Sequence, residues 1–202
     1  MILYTIRHGE TEYNKSGLIQ GWRDIPLNER GLAQAVCAAD FLKEIPFDLI
    51  ISSPLSRAYT TARIIASASC YDIPIRLEER LREIHLGVLE GQHEKTDSMN
   101  IYASDAFQFQ APEGGESYRQ LCSRVTGYLD ELIMTPEYQD KTILISTHAA
   151  TSRAVLWYFH DNKEDFWRNG VPYNCSLNKF EISNGTSRVL AQDILPTGIR
   201  DI

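Results

Sequence analysis

Residues 1–14 read MILYTIRHGETEYN, an apolar run suited to a buried strand that passes directly into polar residues, among them Arg7, His8 and Asn14. In α/β proteins the ligand-binding groups collect at such strand ends, because the loops that follow parallel strands meet at one edge of the sheet. An arginine and a histidine also close ordinary edge strands. These residues alone therefore do not decide between a binding site and a plain strand end.

Short strands and amphipathic helices alternate along the rest of the chain. Strands are predicted over residues 1–6, 47–51 and 142–146, a polar loop over 8–27, and helices over 29–42, 54–69, 116–134 and 149–159. Asn28 is the expected N-cap of the first helix, and Ser53 that of the second, whose first residue is Pro54. The apolar residues of the first helix, which have helical spacing, are Leu32, Ala35, Val36, Ala39 and Leu42.

A β-hairpin is predicted near the end of the chain, where residues 176–182 and 187–194 flank Asn184-Gly185. Alternating strands and helices are typical of a parallel sheet that is covered on both faces. The sequence therefore predicts an α/β fold, a single-domain three-layer α/β/α sandwich with a mostly parallel central sheet, over residues 1–202.

The composition limits the class of partner. The chain has 202 residues and a net charge of −7, which argues against nucleic acid or an anionic membrane surface, because proteins that bind these carry a basic patch. No segment approaches the ~20 apolar residues of a membrane span, and the N-terminus lacks the pattern of a secretion signal. The cysteines are widely spaced and match no metal-binding pattern, so we expect buried, reduced thiols and a cytoplasmic location. They are Cys37, Cys70, Cys122 and Cys175.

The ends of three predicted strands supply polar side chains to one edge of the sheet. Arg7 and His8 follow the first strand, Ser52, Ser53 and Arg57 the second, and Ser146, Thr147 and His148 the third. Two arginines offer forked donors for phosphoryl oxygens, and the helix N-terminus after His148 is itself an anion site. This set suits phosphoryl transfer, which depends on positioning and on neutralisation of charge.

Further short motifs accompany these strand ends in a fixed order. They are RHGET at 7–11 with Asn14, QGW at 20–22, DIPL at 24–27, Gly31 with Gln34 and Ala35, SSPLSRA at 52–58 with Thr61 and Ala62, LRE at 81–83 with Gly87, Glu90 and Gly91, Pro112 with GGES at 114–117, and STH at 146–148. In this order they resemble the histidine phosphatase superfamily, also called the phosphoglycerate mutase-like family, over residues 2–160. The pattern is most similar to the short cofactor-independent phosphatases of that family, such as α-ribazole phosphatase-like proteins.

The resemblance implies a role for each residue of the site. His8 is the expected nucleophile, a neutral imidazole with one ring nitrogen that donates to the carbonyl of Gly9. Arg7, Arg57 and His148 are expected to neutralise the phosphoryl oxygens, and their charge to keep His8 neutral. The expected substrate-binding groups are Asn14, Gln20, Gly21 and the backbone amide of Ala149. The resemblance implies no cofactor and no metal.

Glu83 matches the general acid of the family, which protonates the leaving oxygen and then, as a carboxylate, activates the water that cleaves phosphohistidine. The plain alternative for this residue is a salt bridge to Arg80 or Arg82. Many members of the family have glycine where this chain has Ala149. The methyl group would be costly only if the backbone there were left-handed.

Several other polar residues are expected to have structural roles. Packing or surface positions are expected for His85, His93 and His160, loop orientation for Glu10 and Glu12, and an ion pair with an acidic side chain for Arg153.

Residues 86–118 are expected to cover the site and so to select the leaving group. This segment has one basic residue, Lys95, against the acids Glu90, Glu94, Asp97, Asp105, Glu113 and Glu116. The predicted substrate is therefore a small-molecule phosphate monoester whose leaving group is neutral or modestly polar. The aromatic residues that could contact it, unless they belong to the core, are Trp22, Tyr102, Phe107 and Phe109.

Two alternatives to a phosphatase stay open at this point. The first is a phosphoglycerate mutase, in which Lys15 and Arg23 would recognise the substrate's carboxylate. The second is a non-catalytic module that binds a phosphate ligand, since a fold by itself does not prove activity. Either a monomer or a homodimer is compatible with the sequence.

Overall fold

The fold is built on a six-stranded sheet with helices packed on both of its faces. The structure, a computed structural model, describes residues 1–94, 106–161, 163, 165–168, 170–183 and 185–202. The strands are β1 (Ile2–Arg7), β2 (Leu49–Ser52), β3 (Ile75–Leu77), β4 (Thr142–Thr147), β5 (Leu177–Ser183) and β6 (Thr186–Ile194). The α-helices are α1 (Glu12–Ser16), α2 (Glu29–Leu42), α3 (Ser56–Ala68), α4 (Tyr118–Met134) and α5 (Ala149–Phe159). None of these helices is long and apolar enough to cross a membrane.

The sheet confirms the predicted fold class. Its strand order is β3-β2-β4-β1-β5-β6, in which β3, β2, β4 and β1 are parallel and β5 is antiparallel to both of its neighbours. β5 and β6 form the predicted hairpin. β3 was not predicted, because its three residues are half-buried or exposed and are too few to show an alternating pattern.

The registers of the central strands place three strand ends level with one another. Arg7 of β1 lies beside Thr147 of β4, and Ser52 of β2 lies beside Ser146 of β4. The convergence predicted from the sequence is therefore confirmed.

Alternate residues of the central strands enter two apolar cores. Leu3 and Ile51 pack in one core with α4 and α5, whereas Tyr4 and Ile50 pack in the other with α2 and α3. Because successive side chains of a strand point to opposite faces, neighbours in sequence end up in different cores. The result is the three-layer arrangement.

The structure adds two details to the predicted helices. Leu32 and Val36, two of the apolar residues with helical spacing, are exposed at 42% and 58%, whereas the small Ala35 and Ala38 are buried. The predicted start of α3 is wrong, since this helix begins at Ser56 rather than at Pro54, and its N-cap makes no side-chain hydrogen bond. The predicted cap, Ser53, contacts a histidine instead. The cap of α2 is confirmed, since the Asn28 side chain accepts from the amide of Gly31.

The predicted loop at 8–27 contains a short helix, α1. The hydroxyl of Thr11 accepts from the amide of Asn14, whose own side chain accepts from the amide of Thr11, and this reciprocal pair begins the helix. The cysteines are all free thiols. Cys122 and Cys175 are buried as predicted, whereas Cys70 is exposed and Cys37 is half-buried, so the prediction of four buried thiols is wrong for these two.

Candidate active site

His8 stands at the end of β1 as a buried and neutral imidazole. Its Nδ1 lies 2.7 Å from the carbonyl oxygen of Gly9, which can only accept, so Nδ1 carries the proton and Nε2 carries the lone pair. Burial lowers the pKa of His8 well below its ordinary value, and the charges of Arg57 and Arg7 lower it further. The expected contact with Gly9 is confirmed, and burial contributes more to the lowered pKa than either arginine does.

A segment near the C-terminus holds the Arg7-His8 pair in place. The guanidinium of Arg7 donates to the carbonyl of Pro172, and the amide of Cys175 donates to the carbonyl of Arg7 at 3.1 Å. The side-chain amide of Asn174 donates to the carbonyl of His8 at 2.9 Å. Sequence reasoning missed this segment, because it lies between α5 and β5 and carries no motif.

Arg57, in the first turn of α3, is completely buried and keeps its charge. Its two terminal nitrogens donate to the carbonyls of Arg23 and Gly21 at 2.7 and 2.8 Å, and its Nε donates to Nδ1 of His148 at 3.2 Å. Burial lowers the pKa of Arg57 to about 10, still above neutral pH. The carbonyls that hold it come from the loop after α1, which the sequence did not associate with α3.

His148 ends β4 and has protein partners on both ring nitrogens. Nδ1 receives the hydrogen bond from Arg57, and Nε2 lies 2.7 Å from the hydroxyl of Ser53. Burial lowers the pKa of His148 well below its ordinary value, with Arg57 contributing. His148 packs with its ring centre 5.2 Å from that of His8. Both ring nitrogens of His148 thus have protein partners, and its contact with phosphoryl oxygens stays a prediction.

Glu83 follows a short 3₁₀ turn and points its carboxylate at the N-terminus of α5. Its Oε1 accepts from the amides of Ala150 and Thr151 at 3.1 and 3.2 Å and from the amide of Ile84 at 3.1 Å, whereas Oε2 accepts from Ala150 at 3.3 Å. Donors at a helix N-terminus stabilise a carboxylate. Oε1 is thus held by the protein, and Oε2 is the oxygen better placed to exchange a proton.

The alternative salt bridge of Glu83 is not formed among the described residues. Arg80 pairs with Glu78 and also with Glu131, and Arg82 pairs with Glu79.

A cavity of about 50 Å³ is lined by Arg7, His8, Arg57 and Glu83, whereas His148 lies behind its wall. At about 10–15 Å³ for each water molecule, it has room for a group the size of a phosphate. Of the predicted site residues it is lined by Arg7, His8, Asn14, Gln20, Gly21, Arg57, Glu83 and Ala149. Ala149 is the first residue of α5 and is not left-handed, so its methyl group costs no backbone strain.

The rest of the cavity wall is mostly apolar. It consists of Leu18, Ile19, Ile84, Leu86, Tyr118, Ala150 and Trp167, together with the acidic Glu94. Neither Lys15 nor Arg23 lines this cavity, and Lys15 instead borders a separate surface depression beside Glu10 and Asn28.

Three of the four aromatic residues singled out in the sequence, Trp22, Phe107 and Phe109, do not line the cavity. Trp22 stacks on His85 with ring centres 4.5 Å apart and donates to the backbone carbonyl of Glu83 at 2.7 Å. Phe107 and Phe109 pack against the apolar core. Tyr102 lies outside the described residues, as do Lys95, Asp97 and Asp105 of the predicted covering segment.

Several structural roles predicted for polar residues are confirmed. Glu10 orients its loop by accepting from Asn28 and Arg30, at 3.0 and 2.8 Å. Arg153 is buried and pairs with Asp193 at 3.0 Å. Among the described residues, no group of three or more His, Cys, Asp or Glu side chains is arranged to hold a metal ion.

Comparison with known families decides the classification. Residues 3–194 match the model of the histidine phosphatase superfamily, branch 1. The chain belongs to the histidine phosphatase superfamily. The match covers the strand ends, the helices and the C-terminal hairpin described above, so the resemblance carried by the sequence motifs is confirmed.

Relatives within the histidine phosphatase superfamily include both mutases and phosphatases. The chain is 34% identical over 163 residues to a 2,3-bisphosphoglycerate-dependent phosphoglycerate mutase of Cytophaga hutchinsonii, covering 78% of this chain and 76% of that protein. It is 32% identical over 181 residues to the adenosylcobalamin/alpha-ribazole phosphatase of Escherichia coli, covering 87% of each. The solved structure of a mycobacterial glucosyl-3-phosphoglycerate phosphatase superposes with a TM-score of 0.83 at 29% identity, covering 95% of this chain and 98% of that one.

Proposed function

We propose that this chain is a metal-independent phosphatase that hydrolyses a small-molecule phosphate monoester through a phosphohistidine intermediate on His8. The observation that carries the proposal is the state of His8, a neutral imidazole with its Nδ1 proton bound by Gly9 and its Nε2 lone pair left for the substrate. His8 lines a phosphate-sized cavity together with Arg7, Arg57 and Glu83.

In the first step Nε2 of His8 attacks phosphorus, and the bond between phosphorus and the ester oxygen breaks. Arg7 and Arg57 neutralise the charge on the phosphoryl oxygens, and the amide of Ala149 and the side chain of Asn14 add donors. A leaving alkoxide needs a proton, which a guanidinium does not supply at neutral pH. Glu83 supplies it from Oε2, and the alcohol leaves.

In the second step a water molecule attacks the phosphorus of phosphohistidine. Glu83, now a carboxylate, takes the proton of that water, the bond between phosphorus and Nε2 breaks, and inorganic phosphate leaves. Neutral His8 is restored with its proton still on Nδ1, because the bond to Gly9 persists through both steps.

The wall of the cavity favours the phosphatase over the mutase. A phosphoglycerate carries a carboxylate, and the two cations proposed to recognise it, Lys15 and Arg23, do not line the cavity. Apart from the predicted site residues, the described residues that line the cavity are apolar except Glu94, which would repel a second anionic group. A neutral or modestly polar leaving group fits this wall better.

A panel of phosphate monoesters tests the proposal. Sugar phosphates, phosphoglycerates, nucleotides, α-ribazole phosphate and p-nitrophenyl phosphate are incubated with the protein, with and without EDTA, and phosphate release is measured. We expect release that EDTA does not affect and that vanadate inhibits. His8→Ala should lower it by at least about 10³-fold because the nucleophile is lost. His160→Ala is the matched control, a histidine outside the cavity.

Glu83→Gln separates the two steps. p-Nitrophenolate leaves without a proton, so phosphorylation of His8 should persist while attack by water slows by about 10²- to 10⁴-fold. The expected trace is a burst of one equivalent of p-nitrophenolate followed by slow turnover. Efficient isomerisation of 3-phosphoglycerate in the presence of 2,3-bisphosphoglycerate, without matching phosphate release, would instead establish the mutase. Equally slow release by the wild type and His8→Ala across the panel would indicate the non-catalytic module.

A further inference from the structure

Ser53 is a completely buried residue just after β2 with no place in the proposed chemistry. Its hydroxyl oxygen lies 2.7 Å from Nε2 of His148 and accepts a longer bond, 3.3 Å, from the amide of Leu55. The sequence pattern predicted a helix cap for Ser53. Since α3 begins three residues later, the hydroxyl is left to face the imidazole.

The other side of the imidazole determines which of its nitrogens carries the proton. Nδ1 of His148 lies 3.2 Å from Nε of Arg57, which always carries a hydrogen and can only donate. A proton on Nδ1 would place two N–H groups against each other. His148 must therefore be neutral, with its proton on Nε2, and that proton points at the hydroxyl oxygen of Ser53.

We propose that Ser53 is a positioning residue of the active site, which binds the Nε2 proton of His148 and so presents Nδ1 as the acceptor that orients Arg57. For its kinetic consequence this inference rests on the proposed function, whereas the protonation state of His148 stands independently of it.

The consequence follows from how Arg57 is held. Its two terminal nitrogens each donate one hydrogen to a carbonyl, of Arg23 and of Gly21, and its Nε donates to His148. Each terminal nitrogen has a second hydrogen, which suits a phosphoryl oxygen in the cavity that Arg57 lines. If the imidazole of His148 rotated, Nδ1 would no longer accept from Arg57, and the guanidinium plane could turn away from the phosphoryl group.

Two-bond ¹⁵N–¹H correlation spectra of the ¹⁵N-labelled protein test the protonation of His148, because the two neutral tautomers and the cation give different patterns. The His148→Asn spectrum assigns the signals. In the wild type at neutral pH we expect a protonated Nε2 and an unprotonated Nδ1. A protonated Nδ1, alone or in the cation, would overturn the proposal before any variant is made.

Ser53→Ala removes the acceptor of the Nε2 proton. We expect the Nε2 proton of His148, which has lost its acceptor, to exchange faster with water, and kcat/KM to decrease by about 2- to 13-fold, the effect of one lost buried hydrogen bond. Ser53→Thr keeps a hydroxyl and should restore both the slow exchange and kcat/KM.

Ser52→Ala is the matched control, because Ser52 is equally buried but donates to the backbone carbonyl of Ser53, at 2.8 Å, rather than to an imidazole. This control should keep both the exchange rate of the His148 Nε2 proton and kcat/KM. An unchanged exchange rate of that proton in Ser53→Ala, or an equal loss of activity in the control, would overturn the positioning role. A wild-type protein with the expected tautomer but no phosphatase activity would refute the proposed function alone.

Discussion

Gly31 brings the backbone of α2 into direct contact with the loop that carries the nucleophile. A Cβ atom at this position would lie 2.0 Å from the carbonyl oxygen of Glu10 and 2.6 Å from its amide nitrogen. The contact is reciprocal, because a Cβ on Gly9 would lie 2.3 Å from the carbonyl oxygen of Gly31. Two glycines thus allow the chain after β1 and the first turn of α2 to touch backbone to backbone.

Gly31→Ala should therefore destabilise the protein, against the trend expected for a helix. Helix propensity alone favours alanine by about 1 kcal/mol. Restoring ordinary contact with Glu10, however, requires the two backbones to separate by more than about 1 Å, and overpacking of this kind costs about 3 kcal/mol. The net loss of about 2 kcal/mol should lower Tm by about 4–8 °C in a chain of this size.

The same displacement should reduce activity, because Glu10 and Gly9 directly follow His8. A shift of about 1 Å at a reacting group lowers the rate by about 10²-fold. Thermal unfolding followed by circular dichroism and phosphate release from p-nitrophenyl phosphate measure the two effects.

Gly127→Ala is the matched control for Gly31→Ala. Gly127 lies within α4, where no atom of the described residues outside its own helix comes within 4 Å of the Cβ position. This substitution should stabilise the protein by about 1 kcal/mol and raise Tm by about 2–4 °C. If Gly31→Ala melted at or above the wild-type temperature with unchanged activity, the inferred coupling between α2 and the nucleophile loop would be refuted.

Two further predictions concern pH and thiol reactivity. Folding lowers the pKa of His8 and His148. Below about pH 6.5 the unfolded chain therefore binds more protons than the folded one. As the pH falls through this range, each histidine decreases the free energy of unfolding by up to about 1.4 kcal/mol per pH unit. Urea unfolding measures the free energy of unfolding at several values between about pH 6 and pH 5. Its slope against pH should be smaller in His8→Gln than in the wild type by about that amount, and an unchanged slope would contradict the buried neutral imidazole. Ellman's reagent should react quickly with the exposed Cys70 but with Cys122 and Cys175 only after unfolding, since burial raises the pKa of both buried thiols to about 12. Rapid reaction of all thiols in the folded protein would contradict their burial.

The parts of the fold that depend on local patterns were predictable. The strands β1 and β4, the helix α5 and the cap at Asn28 follow from periodicity and from side-chain hydrogen bonds within a few residues. The exposed face of α2 was not predictable, because it depends on how closely α3 approaches. The start of α3 was mispredicted for a related reason. The hydroxyl of Ser53 is hydrogen-bonded to the imidazole of His148, which is distant in sequence, and α3 begins only at Ser56.

The sequence by itself determined the chemical groups of this protein and the fold that assembles them. The residues at the strand ends and the match to the histidine phosphatase superfamily are contained in short segments. Only the tertiary structure decided the protonation of His148 and the orientation of Arg57. Arg57 lies 91 residues from His148 yet selects its tautomer, because Nε of Arg57 can only donate, and Ser53, 95 residues away, faces the Nε2 proton. Such a selection depends on distances between ring nitrogens and their partners, which a sequence pattern does not contain.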